Sequence, residues 1–129
     1  MLEACEKFDL AFVPYFPLAS GVLSGKYERG AAPPEGTRLA GLPEDRQAAA
    51  LSDAVMDRVE ALSTWARDRG HTLLDLAFAW LLARPVVASV IAGATKPEQV
   101  AANAATAAWR LSAADMAEID EVIARAKEG

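Results

Sequence analysis

A chain of 129 residues has room for one domain with a modest core. Its net charge of −5 and pI near 4.8 argue against nucleic acid and against anionic membranes as partners. Hydrophobic residues make up 53% and mean hydropathy is +0.12, high for so short a chain, so part of its apolar surface is expected to be covered by something else. The single cysteine, Cys5, rules out an intrachain disulfide and reads as a small apolar packing residue, which fits a cytoplasmic location. Glu3 and Glu6 interrupt the start, where a signal peptide would need an apolar run. The longest apolar helical stretch, Leu73 to Ala83, contains Asp75 and is too short to cross a bilayer.

Met1 to Lys7 read as the tail of a helix. Leu10 to Tyr15 form a short apolar run suited to a strand buried on both faces, ended by Pro14 and Pro17. Ala19 to Asp45 is rich in Gly and Pro, and a loop of this length is either a functional loop or lid, or a plain surface connection. A helix is predicted from about Arg46 to Arg69, with Leu51, Val55, Val59, Leu62 and Ala66 on one apolar stripe and Gly70 ending it. Thr72 opens the next helix, with Asp75 completing a partial capping box. Leu73 to Ala83 is apolar nearly all round, so this helix should be buried on most sides until Arg84-Pro85 stops it. Val86 to Ala92 is β-branched without alternation, as expected of a strand in a parallel sheet. A further helix spans about Pro97 to Trp109. Ser112 caps the last one with Asp115 at the capping-box position, and Met116, Ile119, Ile123 and Ala126 form its stripe. Strand, loop, helices, strand, helices is the order of a parallel α/β unit.

The run Ile91-Ala-Gly-Ala-Thr-Lys-Pro-Glu-Gln-Val-Ala-Ala-Asn103 is the most informative. Pro97 suits the first helical position, where its missing N–H would have had no partner. The free N–H groups of that helix start attract an anion, and Lys96 adds a full positive charge. Gln99 and Asn103 are four apart and share a helix face. Such a group suits a phosphorylated ligand with an amide-bondable ring, although Lys96 also reads as an ordinary solvated lysine.

This run resembles the C-terminal cofactor motif of the aldo-keto reductases, roughly I-P-G-A-[ST/R]-x-P-E-Q-[VIL]-x-x-N. Val13-Pro-Tyr-Phe-Pro-Leu-Ala-Ser-Gly-Val-Leu-Ser-Gly-Lys26 is similar to the family's Y-S-P-L-x-x-G-x-L-[ST]-G-K. The resemblance covers nearly the whole chain and matches only the family's C-terminal portion. It implies a partial (β/α)₈ TIM barrel, namely the last two β/α units with strands seven and eight, in one incomplete domain over residues 1–129. Residues 18–46 would then be a cofactor-covering loop, and 93–109 the phosphate- and adenine-binding motif. A complete barrel of this class needs about 250 residues.

The resemblance also implies roles. Tyr15 supplies the ring that stacks on a nicotinamide, where periodicity alone reads a core tyrosine. Phe16 stands where serine is commonest, so a side-chain hydrogen bond is lost. Leu18, Ser20 and Gly21 match the pyrophosphate-contacting turn, whose small residues let backbone approach a phosphate. Gly93 and Thr95 supply close backbone approach and a hydroxyl, and Lys96 meets the 2′-phosphate of NADP(H). Gln99 replaces the arginine of some branches. Asn103 matches the position that meets the adenine edge, and Ala102 replaces an acidic residue common just before it.

No catalytic residue is assigned. The family's catalytic Asp, Tyr, Lys and His precede the matched segments, and Tyr15, Tyr27, Lys26 and His71 lie in no motif that matches those catalytic residues. Lys26 and Tyr27 are sequence neighbours, which does not place both groups at one substrate. His71 reads as an exposed turn residue between helices. No Cys/His cluster has metal-ligand spacing, so no metal is expected. The expected function is therefore the NADP(H)-binding C-terminal part of an aldo-keto reductase, an oxidoreductase family that reduces aldehydes and ketones to alcohols, inactive alone. It would take a small carbonyl substrate only when completed by an N-terminal half. Self-association through open sheet edges is expected, since such edges leave backbone groups unpaired. The alternatives are half of a split enzyme, a non-catalytic interaction or regulatory subunit, or a truncated gene product.

Overall fold

The structure is a computed structural model that describes residues 1–126; residues 127–129, the end of the expected 1–129 unit, lie outside the described residues. Among the described residues, six α-helices follow in chain order: α1 (Leu2–Lys7), α2 (Glu44–Ala50), α3 (Asp53–Arg67), α4 (Leu73–Leu82), α5 (Pro97–Ala105) and α6 (Ala113–Arg125). Short 3₁₀ turns occupy Ala19–Ser24 and Thr106–Ala108. None of the described helices is long and apolar enough to cross a membrane.

The helix starts with complete local signals form as expected. Thr72 N donates to Asp75 Oδ2 at 2.8 Å, and Asp75 N donates back to Thr72 Oγ1 at 3.1 Å. Ser112 and Asp115 repeat this arrangement at 2.8 and 3.1 Å. Each box satisfies N–H groups that a helix start leaves orphaned. Ser112 holds the Asp115 carboxyl below its usual range, first through the Ser112 hydroxyl and backbone N–H and then through nearby Arg69.

The expected helix from Arg46 to Arg69 is two helices. The chain breaks at Leu51–Ser52, and Ser52 adopts extended ψ and accepts from Val55 N and Met56 N. Gln47 Nε2 donates to the carbonyls of Ala40 and Leu42, which ties α2 to the preceding loop rather than to the line of α3. Serine favours this half-in position over a helix interior. The other expected helix end is shorter too: α5 stops at Ala105, and the backbone tightens where Thr106 Oγ1 donates to Asn103 O at 2.6 Å.

The expected strands are corrected more strongly. Among the described residues, Leu10–Tyr15 and Val86–Ala92 share one parallel bridge, between Phe12 and Val87. Phe12 N donates to Val86 O at 2.7 Å, and Ala88 N donates to Phe12 O at 3.0 Å. Burial on both faces is not met either, since Leu10 is 57% and Ile91 70% exposed. A parallel strand is held by neighbours on both sides, and each segment here has a neighbour on one side only.

Packing is organised by α4. It contacts α3, α5 and both 3₁₀ turns, while α3 also packs on α6. One cluster joins Val22, Tyr27 and Leu39 to Met56, Val59 and Leu73. A second joins Trp65, Ala66 and Leu76 to Ile119, and Leu62 touches both. Leu39 is fully buried, so the Gly/Pro-rich loop is anchored in the core. Arg29 fastens the same loop to α3 through Asp53, Asp57 and Glu60. Glu60 foremost, and then Asp57, push the Arg29 pKa further above its already high value.

Candidate functional site

Parallel pairing of Phe12 with Val87 sends both segments out of the same edge of the molecule. The turn after the first segment and the loop before α5 therefore lie on one side, at the carboxyl ends where parallel α/β folds bind ligands. The 3₁₀ turn and α5 both rest on α4, which fixes them relative to each other.

The first half of the site is a strained turn. Phe16, Ala19 and Ser20 take φ of 58°, 48° and 59°, and Gly21 takes 92°. Left-handed backbone at three non-glycine residues costs about 1–3 kcal/mol each, and such strain clusters at ligand clamps. The turn is held by Gly21 N donating to Leu18 O at 2.8 Å and by the Tyr27 hydroxyl donating to Ser20 O at 3.1 Å. A Cβ on Gly21 would lie 2.8 Å from Lys26 Nζ, so the ammonium sits directly on the turn. Arg38 reaches in from the anchored loop and places its guanidinium 4.6 Å from the centre of the Phe16 ring. Tyr15 is 84% exposed, with its ring 4.3 Å from that of Phe16 at 55°. It is therefore not a core tyrosine.

The second half is the start of α5. Gln99 Oε1 accepts from Thr95 N at 2.7 Å, from Thr95 Oγ1 at 3.2 Å and from Lys96 N at 3.2 Å. Lysine has no side-chain acceptor, so this cap is one-sided. Three of the donors expected to meet a phosphate, the Thr95 hydroxyl and the N–H groups of Thr95 and Lys96, are thus already engaged by Gln99. The Gln99 Nε2 and the Lys96 ammonium are left to donate. Asn103 lies further along the helix and faces a groove of about 350 Å³ walled by Phe78, Leu82, Val90, Ala92 and Val100. Gly93 is open, and a Cβ at that position would meet no atom within 4 Å.

Lys26, Arg38 and Lys96 have no carboxylate partner among the described residues, although the whole chain is acidic. Lys26 and Arg38 are the contributors that sequence reasoning missed. Nothing in the sequence brings Arg38 to Phe16; the burial of neighbouring Leu39 does. The remaining polar candidates are structural. Tyr27 is buried with its hydroxyl engaged, and His71 is half-buried rather than exposed, stacked on Trp109 at 3.8 Å and 7°. No group of three or more His, Cys, Asp or Glu among the described residues could hold a metal ion.

Comparison with known proteins shows the family of this chain. A probable voltage-gated potassium channel subunit beta of Arabidopsis thaliana is 38% identical over 94 residues, covering 73% of this chain and 29% of that protein. The L-glyceraldehyde 3-phosphate reductase of Escherichia coli K12 is 30% identical over 130 residues, covering 96% of this chain and 36% of that protein. Among solved structures, a glycerol dehydrogenase from Gluconobacter oxydans superposes with a TM-score of 0.78 at 23% identity, over 100% of this chain and 38% of that one. The chain thus spans about a third of the length of these relatives. The match to the Aldo/keto reductase family runs over residues 1–124, and the chain belongs to that family.

Proposed function

We propose that the chain is the C-terminal, cofactor-binding portion of an NADP(H)-dependent aldo-keto reductase. The observation that carries this reading is the pairing of a strained turn, flanked by Lys26 and Arg38, with the Lys96–Asn103 helix start on one edge of the fold. Strain and unpaired cations at one edge suit a dianionic ligand, and the open Gly93 and small Ser20–Gly21 turn leave room for its phosphates.

In this reading the exposed Tyr15 ring lies against the nicotinamide. The Ser20–Gly21 backbone, Leu18 and Lys26 face the pyrophosphate, with Phe16 and Arg38 closing the turn. Thr95 and Gly93 line the loop, and Lys96 with Gln99 Nε2 meets the 2′-phosphate. Asn103 supplies the amide of the adenine groove. When bound, NADPH supplies the hydride for carbonyl reduction. None of this chain's residues is assigned to donate the proton, because Tyr27 and His71 are engaged in packing.

The 129-residue chain is therefore expected to bind NADPH without turning over substrate, and to self-associate reversibly through its open edges. Titration followed by nicotinamide fluorescence, with a turnover assay on a reactive aldehyde, tests this. Saturable binding without turnover is expected. Absence of binding, or robust turnover with contaminating reductase excluded, refutes it. A second reading, a non-catalytic subunit, is favoured by the relatives named as potassium channel subunits beta. It predicts that the chain still yields no turnover when completed by the missing part of a barrel.

A further inference from the structure

We propose that Phe16 is a positioning residue, whose ring carries the Arg38 guanidinium at the strained turn so that it meets a phosphate of a bound dinucleotide. This role rests on the cofactor reading above and adds to it a side chain that the family's usual sequence does not supply. Serine is commonest at this position of the family's motif, and a hydroxyl offers a guanidinium one hydrogen bond and no π face.

Both partners are held by their own backbones. Phe16 takes a φ of 58°, and its carbonyl accepts from Ala19 N at 3.0 Å. Its ring also lies 4.3 Å from that of Tyr15. On the loop, Thr37 Oγ1 donates to Pro34 O at 2.7 Å and accepts from Ala40 N at 3.3 Å, which turns the chain tightly around Arg38. Leu39 beside it is fully buried, and Gln47 Nε2 donates to the carbonyls of Ala40 and Leu42. The Arg38 backbone is thereby anchored while its side chain stays exposed. An unsupported side chain of this length has many rotamers, and binding would have to freeze them.

The ring supplies that support. The guanidinium rests 4.6 Å from the centre of the Phe16 ring, and no carboxylate lies within ion-pair reach of it among the described residues. A cation over a ring is held by the ring's quadrupole and not by a lone pair. The planar fork of N–H donors therefore stays available for phosphate oxygens. Phe16 opens the same turn that Lys26 reaches at Gly21, so the ring brings a second cation to that turn. Two cations gathered at one turn of an acidic chain suit an anionic ligand. The exchange of serine for Phe16 thus gives up a side-chain hydrogen bond and gains a preset arginine.

The test is a double-mutant cycle on the 129-residue chain, read by nicotinamide fluorescence during titration with NADPH. Phe16→Leu keeps apolar bulk and removes the π face, so it should weaken NADPH about two- to fivefold, the worth of an exposed cation–π contact. Phe16→Trp restores a π face and should bind within about twofold of the parent. Should the leucine variant fold poorly, Phe16→Ser repeats the comparison with the residue usual in the family. Arg38→Met removes the charge and should weaken NADPH roughly tenfold. In that background Phe16→Leu should cost nothing further, because the two residues act as one unit. A residue that merely stabilised the turn would lose the same factor in both backgrounds, and that result overturns the proposal. So does a Phe16→Leu variant that binds like the parent, or a Phe16→Trp variant as weak as Phe16→Leu. NADH titrated in parallel assigns the phosphate: equal losses place Arg38 at the pyrophosphate, and losses confined to NADPH place it at the 2′-phosphate. If the parent chain binds no nucleotide, the cofactor reading falls and takes this role with it. If the parent binds and the cycle is additive, the positioning role falls alone.

Discussion

Replacing Lys96 by alanine separates a 2′-phosphate contact from a general role in holding the α5 start. Lys96 is exposed, so its interaction with a phosphate is set by a water-like dielectric. Unit charges about 4 Å apart then interact by about 1 kcal/mol. A phosphate monoester carries roughly 1.5 to 2 negative charges at neutral pH, giving about 1.5–2 kcal/mol, or roughly a 10- to 30-fold loss of NADPH affinity. NADH lacks that phosphate, so its affinity should stay within about twofold of the parent value. The loss should also shrink as salt rises, since the screening length falls from about 10 Å at 0.1 M to about 3 Å at 1 M. Gln99→Glu provides the internal control. A carboxylate can still accept from Thr95 and Lys96, so the cap survives, but the donor Nε2 is replaced by negative charge. It should weaken NADPH more than NADH without lowering thermal stability. Equal losses for NADH and NADPH in the lysine variant would refute the reasoning, because Lys96 would then act through the backbone and not through charge.

The packing sets four further outcomes. Gly21→Ala places a Cβ at φ 92° and should destabilise by about 1–2 kcal/mol, whereas Ala19→Gly relieves a φ of 48° and should raise the thermal midpoint; calorimetry on both variants checks the signs. Leu39→Ala removes a fully buried side chain and should cost about 2–5 kcal/mol in denaturant unfolding. Arg29→Ala breaks only solvent-exposed pairs, so it should leave the global midpoint nearly unchanged while speeding proteolysis between residues 30 and 36. Ser112→Ala removes the α6 cap at about 1 kcal/mol near neutral pH. The Asp115 pKa is depressed in the fold, so its contribution is present above the unfolded carboxylate value, about pH 4, and is lost as pH falls through the lower folded value. The stability gap between parent and variant, followed by urea unfolding across pH, should therefore be constant from about pH 5 to 7 and close below about pH 4.

What could be read from the sequence was what is decided within a few residues. The Thr72–Asp75 and Ser112–Asp115 boxes form because both partners lie three positions apart, and Pro97 opens α5 for the same local reason. The break at Ser52 was not legible, because the apolar spacing from Leu51 to Ala66 runs through it unbroken. The strands failed for a different reason. Val86 to Ala92 has the composition of a buried strand, but a ladder exists only where a neighbour supplies it. The site divides in the same way. Lys96, Gln99 and Asn103 were visible as one helix start, although Gln99 turns its oxygen inward to cap it. Left-handed backbone at Ala19 and Ser20 was not visible, since only glycine advertises positive φ in a sequence.

These two kinds of dependence bear on function differently. Every element placed around the candidate cofactor site is held by contacts internal to the described chain: the turn by Tyr27 and Leu18, the loop by Leu39 and Arg29, and α5 by its packing on α4. The incomplete part is the sheet, where the unpaired N–H groups and the exposed Leu10 and Ile91 lie. Cofactor grip should therefore be largely preorganised in this chain, with a modest cost of ordering exposed Tyr15 and Lys96. On the proposed reading, by contrast, none of the residues at this edge is assigned to donate the proton that carbonyl reduction requires. Binding and turnover should then separate experimentally, the first surviving in the isolated chain and the second absent from it.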